Sequence, residues 1–189
     1  MISHYGVLAA ALAVLLLVAV GVWLWQRRRG PEIAQALDAV AIERLQNVLL
    51  PDGMGGQIQI EHLVLTGQGL LVIDAKSFAG TIFAGERMAE WTVIGKKGRF
   101  LFPNPLGTLY DRVAALRQLV RDVPVAGYVL FAGTADFTKG RPREVLSAAE
   151  LIERYRRPDK ADLERLLVAF APHWDRVKAA LEPVPEVPR

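Results

Sequence analysis

Glu61, Asp74 and Lys76 are the residues whose types and spacing could do chemistry. Asp74 and Lys76 stand one residue apart at the end of a β-rich run, Leu70–Ala75, and a strand sends such a pair to the same face. Glu61 belongs to the preceding run, Ile58–Leu65, and Thr66–Gly67–Gln68–Gly69 between the runs is a hairpin signal. With Gly67–Gln68 as the loop, Leu65 pairs with Leu70 and Leu63 with Val72. The same register, or a four-residue loop from Thr66 to Gly69, sets Glu61 across from Asp74. Directly opposed strand residues share a face with Cβ atoms about 4.5–5.5 Å apart. Three ionisable groups therefore meet at one end of an otherwise apolar hairpin.

Two carboxylates that close repel, and burying either charge unpaired is unfavourable. A divalent cation held by both would offset this, and hard oxygen donors with open positions suit Mg2+ or Mn2+. Beside such an ion, Lys76 could orient a water or stabilise charge developing on a phosphate. The alternative is structural: Lys76 neutralises the two acids at a sheet edge, and an acid-x-Lys spacing does not separate the two readings.

The elements around the hairpin follow from periodicity and turn residues. Ile33, Ala36, Leu37 and Val40 repeat at helical spacing, which predicts a helix from Glu32 to about Arg44. Asn47–Leu50 reads as a strand closed by the turn Pro51–Asp52–Gly53, and Thr81–Ala84 and Trp91–Ile94 as short strands. Asn104–Pro105 opens a helix with Leu109, Val113, Leu116 and Val120 on one face, and Val125–Phe131 is a buried strand. Ser147–Ala148–Ala149–Glu150 matches a capping box, and Asp159 can cap a helix that Pro172 divides from a last one. The order predicts an α/β domain with a mixed sheet flanked by helices.

Composition bounds the partners. The chain has 189 residues with 23 Lys and Arg against 20 Asp and Glu, a net charge of +3. Arg27, Arg28 and Arg29 account for that excess, so residues 31–189 are formally neutral and a uniformly basic coat for nucleic acid is excluded. Zero cysteines exclude a disulfide framework, a thiolate zinc site and a cysteine nucleophile. The glycine loop of a P-loop and a histidine pair at i, i+4 spacing are also missing. Local basic groups remain: Lys96, Lys97 and Arg99 in a predicted loop, and Arg154, Arg156, Arg157 and Lys160. His62 alternates away from Glu61 and is expected on the other sheet face.

Tyr5–Trp25 holds 21 residues without a charge. As a helix it would span about 31 Å, the thickness of a bilayer's hydrocarbon. Trp23, Trp25 and the arginines that follow suit the lipid–water boundary, and the charge bias predicts an outward N-terminus with a cytoplasmic domain. Residues 1–30 are thus expected to be a single-pass membrane anchor with its basic flank, 31–182 a domain, and 183–189 a proline-rich flexible tail.

Several separated motifs fall in one order: Gln57–Leu65, the Gly69 turn, Leu71–Lys76, Gly80, Ile82, Trp91–Thr92 and Asn104–Pro105–Leu106. This resembles the nuclease-related (NERD) domain, a branch of the PD-(D/E)XK nuclease-like superfamily, best over residues 49–131. The resemblance implies a restriction-endonuclease-like core and hydrolysis of nucleic-acid phosphodiesters dependent on Mg2+ or Mn2+, with DNA favoured over RNA. It implies Glu61 and Asp74 as metal ligands, Lys76 as the motif lysine, and Glu32 as a further acid on an early helix. The family usually has Asp where Glu61 stands and Glu where Asp74 stands, and Gln and His where this chain has Thr108 and Arg112. A module that binds nucleic acid or a protein at the membrane without cutting is the rival expectation.

Overall fold

The computed structural model describes residues 33–183 apart from Met54 and Gly133. Glu32 and the apolar run Tyr5–Trp25 lie outside the described residues. Among those described, no helix is long and apolar enough to cross a membrane.

Helix α1 (Ile33–Val40) leads into β1 (Glu43–Pro51), β2 (Gln57–Thr66) and β3 (Gly69–Lys76). Next come β4 (Gly80–Phe83), β5 (Glu90–Gly95), β6 (Gly98–Pro103) and helix α2 (Leu106–Leu119). The chain continues through β7 (Val125–Phe131), β8 (Ala135–Asp136), β9 (Val145–Ser147), α3 (Ala148–Arg154), α4 (Lys160–Ala180) and β10 (Glu182–Pro183). Six strands form one mixed sheet in the order β10-β1-β2-β3-β7-β9, and a second sheet runs β6-β5-β4-β8. The α/β expectation holds; a second sheet replaces the single one expected.

Strand β3 is central, antiparallel to β2 and parallel to β7. It is correspondingly apolar on both faces, as a strand covered on both sides must be. On one face Val64, Leu71, Ile73 and Leu130 pack against Leu37 of α1 and Leu151 of α3. On the other, Leu63, Val72 and Val129 pack with Leu109 and Leu116 of α2 and Trp174 of α4. Gly127 of β7 brings α2 close, since a Cβ there would lie 2.6 Å from Val113 Cγ2 and 3.0 Å from Leu109 Cδ1. That approach sets the height of α2 above the hairpin.

Three sequence expectations change. The first helix ends at Val40, and Arg44 lies in β1, whose residues pair with β2 from Glu43↔Leu65 to Pro51↔Gln57. Ile42 and Leu45 fall out of phase with the face of Ile33, Ala36, Leu37 and Val40, and from Glu43 the ladder offered by β2 takes over. The supposed loop around Lys96, Lys97 and Arg99 is a tight hairpin, with Gly95 paired to Gly98 and Arg99 inside β6. Pro172 does not divide two helices; α4 runs through it. Proline frees the carbonyl four residues earlier. That residue is Val168, which is 80 % exposed, so water can satisfy the freed group.

Candidate metal centre

The β2–β3 register is as the turn residues require: Thr66↔Gly69, Leu65↔Leu70 and Leu63↔Val72, ending at His62↔Ile73. Glu61 and Asp74 are the next residues on each strand, just past the last backbone pair. Glu61 Oε2 there accepts the Ala75 N–H at 3.0 Å, so a side chain takes over from the ladder. On the β1 side the pairing passes from Gln46↔His62 to Val48↔Ile60, and Asn47, opposite Glu61, has φ 49°. Asparagine is among the few side chains that tolerate this left-handed conformation. The sheet is interrupted on both sides of Glu61.

Glu61, Asp74 and Lys76 line one pocket of about 380 Å³, together with Phe78, Phe102, Asn104, Thr108 and Arg112. Asp74 is only 3 % exposed. Its Oδ2 accepts from Arg112 Nη1 at 2.6 Å, and Arg112 Nε also donates to the Gln59 carbonyl at 2.6 Å. Asp74 Oδ1 is buried with no hydrogen-bond partner among the described residues. Burial pushes the Asp74 carboxyl above its ordinary value of 3.8, against the opposing pull of Arg112 and Lys76 and with a further push from Glu61. Lys76 has no ion pair or hydrogen bond with its ammonium among the described residues.

His62 occupies the opposite sheet face, as alternation requires, and its Nε2 comes 3.7 Å from Glu61 Oε1. Burial lowers its pKa below 6.5, against the raising effect of Glu61, which favours the neutral imidazole at neutral pH. Among the described residues, no three His, Asp or Glu side chains gather as a metal cluster. The donor set is two carboxylates, with Glu32 outside the described residues. A buried carboxylate oxygen, unpartnered among the described residues and beside a second acid, is the chemistry that would suit a hard divalent ion.

Two features were not read from the sequence. Arg112 pairs with Asp74 across 38 residues; the family resemblance marked this position, as one where His is usual, but not its partner. Asn104 and Trp91 prove to be clamps. Trp91 Nε1 donates to the Gly85 carbonyl at 3.0 Å. Asn104 Nδ2 donates to the carbonyls of Met88 at 2.8 Å and Glu86 at 3.2 Å, and its Oδ1 accepts the Leu106 N–H at 3.0 Å. Together they hold the loop before β5 and start α2, which places Thr108 and Arg112 over the pocket.

A larger cavity of about 750 Å³ lies on the far side of α2, lined by Arg117, Arg141, Arg143 and Arg154. Each arginine is already engaged: Arg117 by the Val125 carbonyl at 2.7 Å, Arg141 by Glu150, Arg143 by Glu144 at 2.7 Å, Arg154 by Tyr128 at 3.3 Å. The smaller pocket, holding an acid oxygen and an ammonium that are unpaired among the described residues, is the better candidate.

The family model for the nuclease-related domain matches residues 32–132, more than half of the chain. A Bacillus anthracis protein described as uncharacterized is 27 % identical over 100 residues, covering 51 % of this chain and 47 % of that relative. The chain thus spans less than half the length of the relative it matches. No solved structure matches it. The unfinished end of the hairpin, its acids and lysine, and the match over residues 32–132 agree: the chain belongs to the nuclease-related (NERD) domain family.

Proposed function

We propose that this domain hydrolyses phosphodiester bonds of nucleic acid with Mg2+ or Mn2+, DNA being favoured over RNA. The observation that carries the reading is Asp74 Oδ1, buried and unpartnered in a pocket shared with Glu61 and Lys76. Glu61 and Asp74 would hold the ion, which when bound supplies a more acidic water and charge neutralisation at the phosphate. The protein's own part is positional. Glu61 is fixed by the Ala75 N–H through Oε2, while its Oε1 lies 3.7 Å from His62 Nε2. Arg112 neutralises one oxygen of Asp74 and orients the other. The Lys76 ammonium, without an ion pair among the described residues, would stabilise charge on a phosphate oxygen or orient the attacking water. The glutamate–aspartate exchange relative to the family moves each carboxylate by about one methylene in opposite senses, a change that one shifted ion position can absorb.

The test is incubation of the full-length chain with plasmid DNA, linear DNA and RNA under Mg2+ or Mn2+ titration. Cleavage that requires the metal, stops with EDTA and is lost in Asp74→Asn supports the proposal. Cleavage that survives in EDTA, or that Lys76→Ala leaves at full rate, contradicts it. One observation favours a second reading, a module that binds nucleic acid or protein without cutting: Arg112 already supplies Asp74 with a cation. That reading predicts binding without turnover under every metal and little effect of Asp74→Asn.

We also infer from Tyr5–Trp25 and Arg27–Arg29 that a single-pass anchor holds the domain at the cytoplasmic face of a membrane. Retention of the full chain in the membrane pellet after carbonate extraction supports this, and release into the supernatant contradicts it.

A further inference from the structure

Beside the candidate centre stands a feature that neither the acids nor the lysine uses. Strands β5 and β6 form a hairpin whose turn, Lys96–Lys97, is exposed, and Arg99 follows on the outer face opposite Ile94. Within the hairpin, Glu90–Pro103, these three cations stand against a single acid, Glu90, at the end away from the turn, while residues 31–189 as a whole are neutral. The inner face of the same hairpin carries Phe100 and Phe102, set across from Val93 and Trp91. Phe78, two residues past Lys76, bridges them, with ring centroids 5.2 Å from Phe100 and 4.7 Å from Phe102. Buried Trp91 backs Phe102 edge-on at 5.8 Å, so the row is braced from below. Phe102 and Phe78 line the pocket with Asp74 and Lys76, and Phe100 is 43 % exposed at the outer end.

We propose that this hairpin binds an unpaired nucleic-acid strand, its bases stacking along Phe100 and Phe78 and its phosphates held by Lys96 and Lys97, and leads it to Asp74. The inference rests on the nuclease reading and names the substrate class. Charge complementarity selects a polyanion, and the aromatic row selects one with open π-faces. Unpaired bases stack on aromatic side chains without regard to sequence, whereas the faces of a duplex are already stacked on one another. The braced rings lose little freedom on binding, which makes Phe100 a preformed platform.

The experiment measures anisotropy of labelled oligo(dT) and of a labelled duplex of equal length with the full-length chain in EDTA. Tighter binding of oligo(dT) is expected. Phe100→Ala should weaken oligo(dT) by about tenfold, Phe100→Trp should restore it, and duplex binding should change less than about twofold. Lys96→Ala with Lys97→Ala should weaken both probes and flatten their salt dependence. Equal affinity for the two probes, preference for the duplex, no binding of either, or indifference to Phe100→Ala with an unchanged melting temperature overturns the inference. Asp74-dependent cleavage of plasmid with no effect of Phe100→Ala keeps the hydrolase reading and removes this one. Oligo(dT) binding through Phe100 without cleavage under any metal does the reverse.

Discussion

The two ends of the β2–β3 hairpin are built from the same pair of strands and finished in opposite ways. At the turn, backbone and local side chains satisfy one another. Thr66 pairs with Gly69, the Thr66 hydroxyl donates to the Gly69 carbonyl at 2.9 Å, and the Gln68 N–H donates back to that hydroxyl at 3.1 Å. The Leu70 N–H continues to the Pro124 carbonyl at 2.9 Å. At the open end the ladder stops at His62↔Ile73, Glu61 caps Ala75, Asn47 is left-handed, and one oxygen of Asp74 has no partner. The closed end can serve stability alone. The open end keeps polar groups in reserve where pairing stops, which is where a sheet can offer side chains to a ligand.

Substitutions at the two ends should therefore separate activity from stability. Asp74→Asn has the largest expected effect, a loss of metal-dependent cleavage on the order of a thousandfold, since several kcal/mol of charge stabilisation go with the ion. Single-turnover cleavage rates measure it. Arg112→Ala comes next. It leaves the nearly buried Asp74 carboxyl without its Arg112 partner and should lower stability by about 2–3 kcal/mol, less than a fully buried pair because the pocket opens to water. Denaturant unfolding measures this, and adding Asp74→Asn should recover most of the loss. At the closed end, Gly69 has φ 122° and a Cβ there would lie 2.3 Å from the Pro124 carbonyl oxygen. Gly69→Ala should cost about 2 kcal/mol of stability while cleavage per folded molecule stays unchanged.

The smallest effect is on pH dependence. Folding raises the Asp74 carboxyl above 3.8, so the folded chain holds that proton more tightly than the unfolded one. The stability this group contributes is complete below 3.8 and is lost as pH rises through the raised folded value. In EDTA, the melting temperature of Asp74→Asn relative to the natural sequence should accordingly climb as pH rises above 3.8. Differential scanning at several pH values checks this; a relative fall would reverse the sign.

The closed end was legible in the sequence and the open end only in part. The Thr66–Gly69 turn determines the register, and register with the alternation of strand side chains carries Glu61, Asp74 and Lys76 to one face. Ser147 and Glu150 likewise announce their capping box, which forms in both directions. Arg112 was illegible because its partner lies 38 residues away and the meeting depends on how closely α2 sits on Gly127. Strand β6 was hidden because its residues are mostly exposed and lack the burial alternation that marks a strand, while Lys96–Lys97–Gly98 resembles a solvated loop. Helix α4 passes Pro172 because exposure at Val168, a tertiary property, relieves the break. Glu32 and Tyr5–Trp25 lie outside the described residues.

Calorimetric titration of the full-length chain with Mn2+ probes the central assignment most directly. One bound ion is expected, lost in Asp74→Asn and weakened in Glu61→Gln, with His62→Gln unchanged. Equal Mn2+ binding by the natural sequence and Asp74→Asn, or none by either, would contradict it.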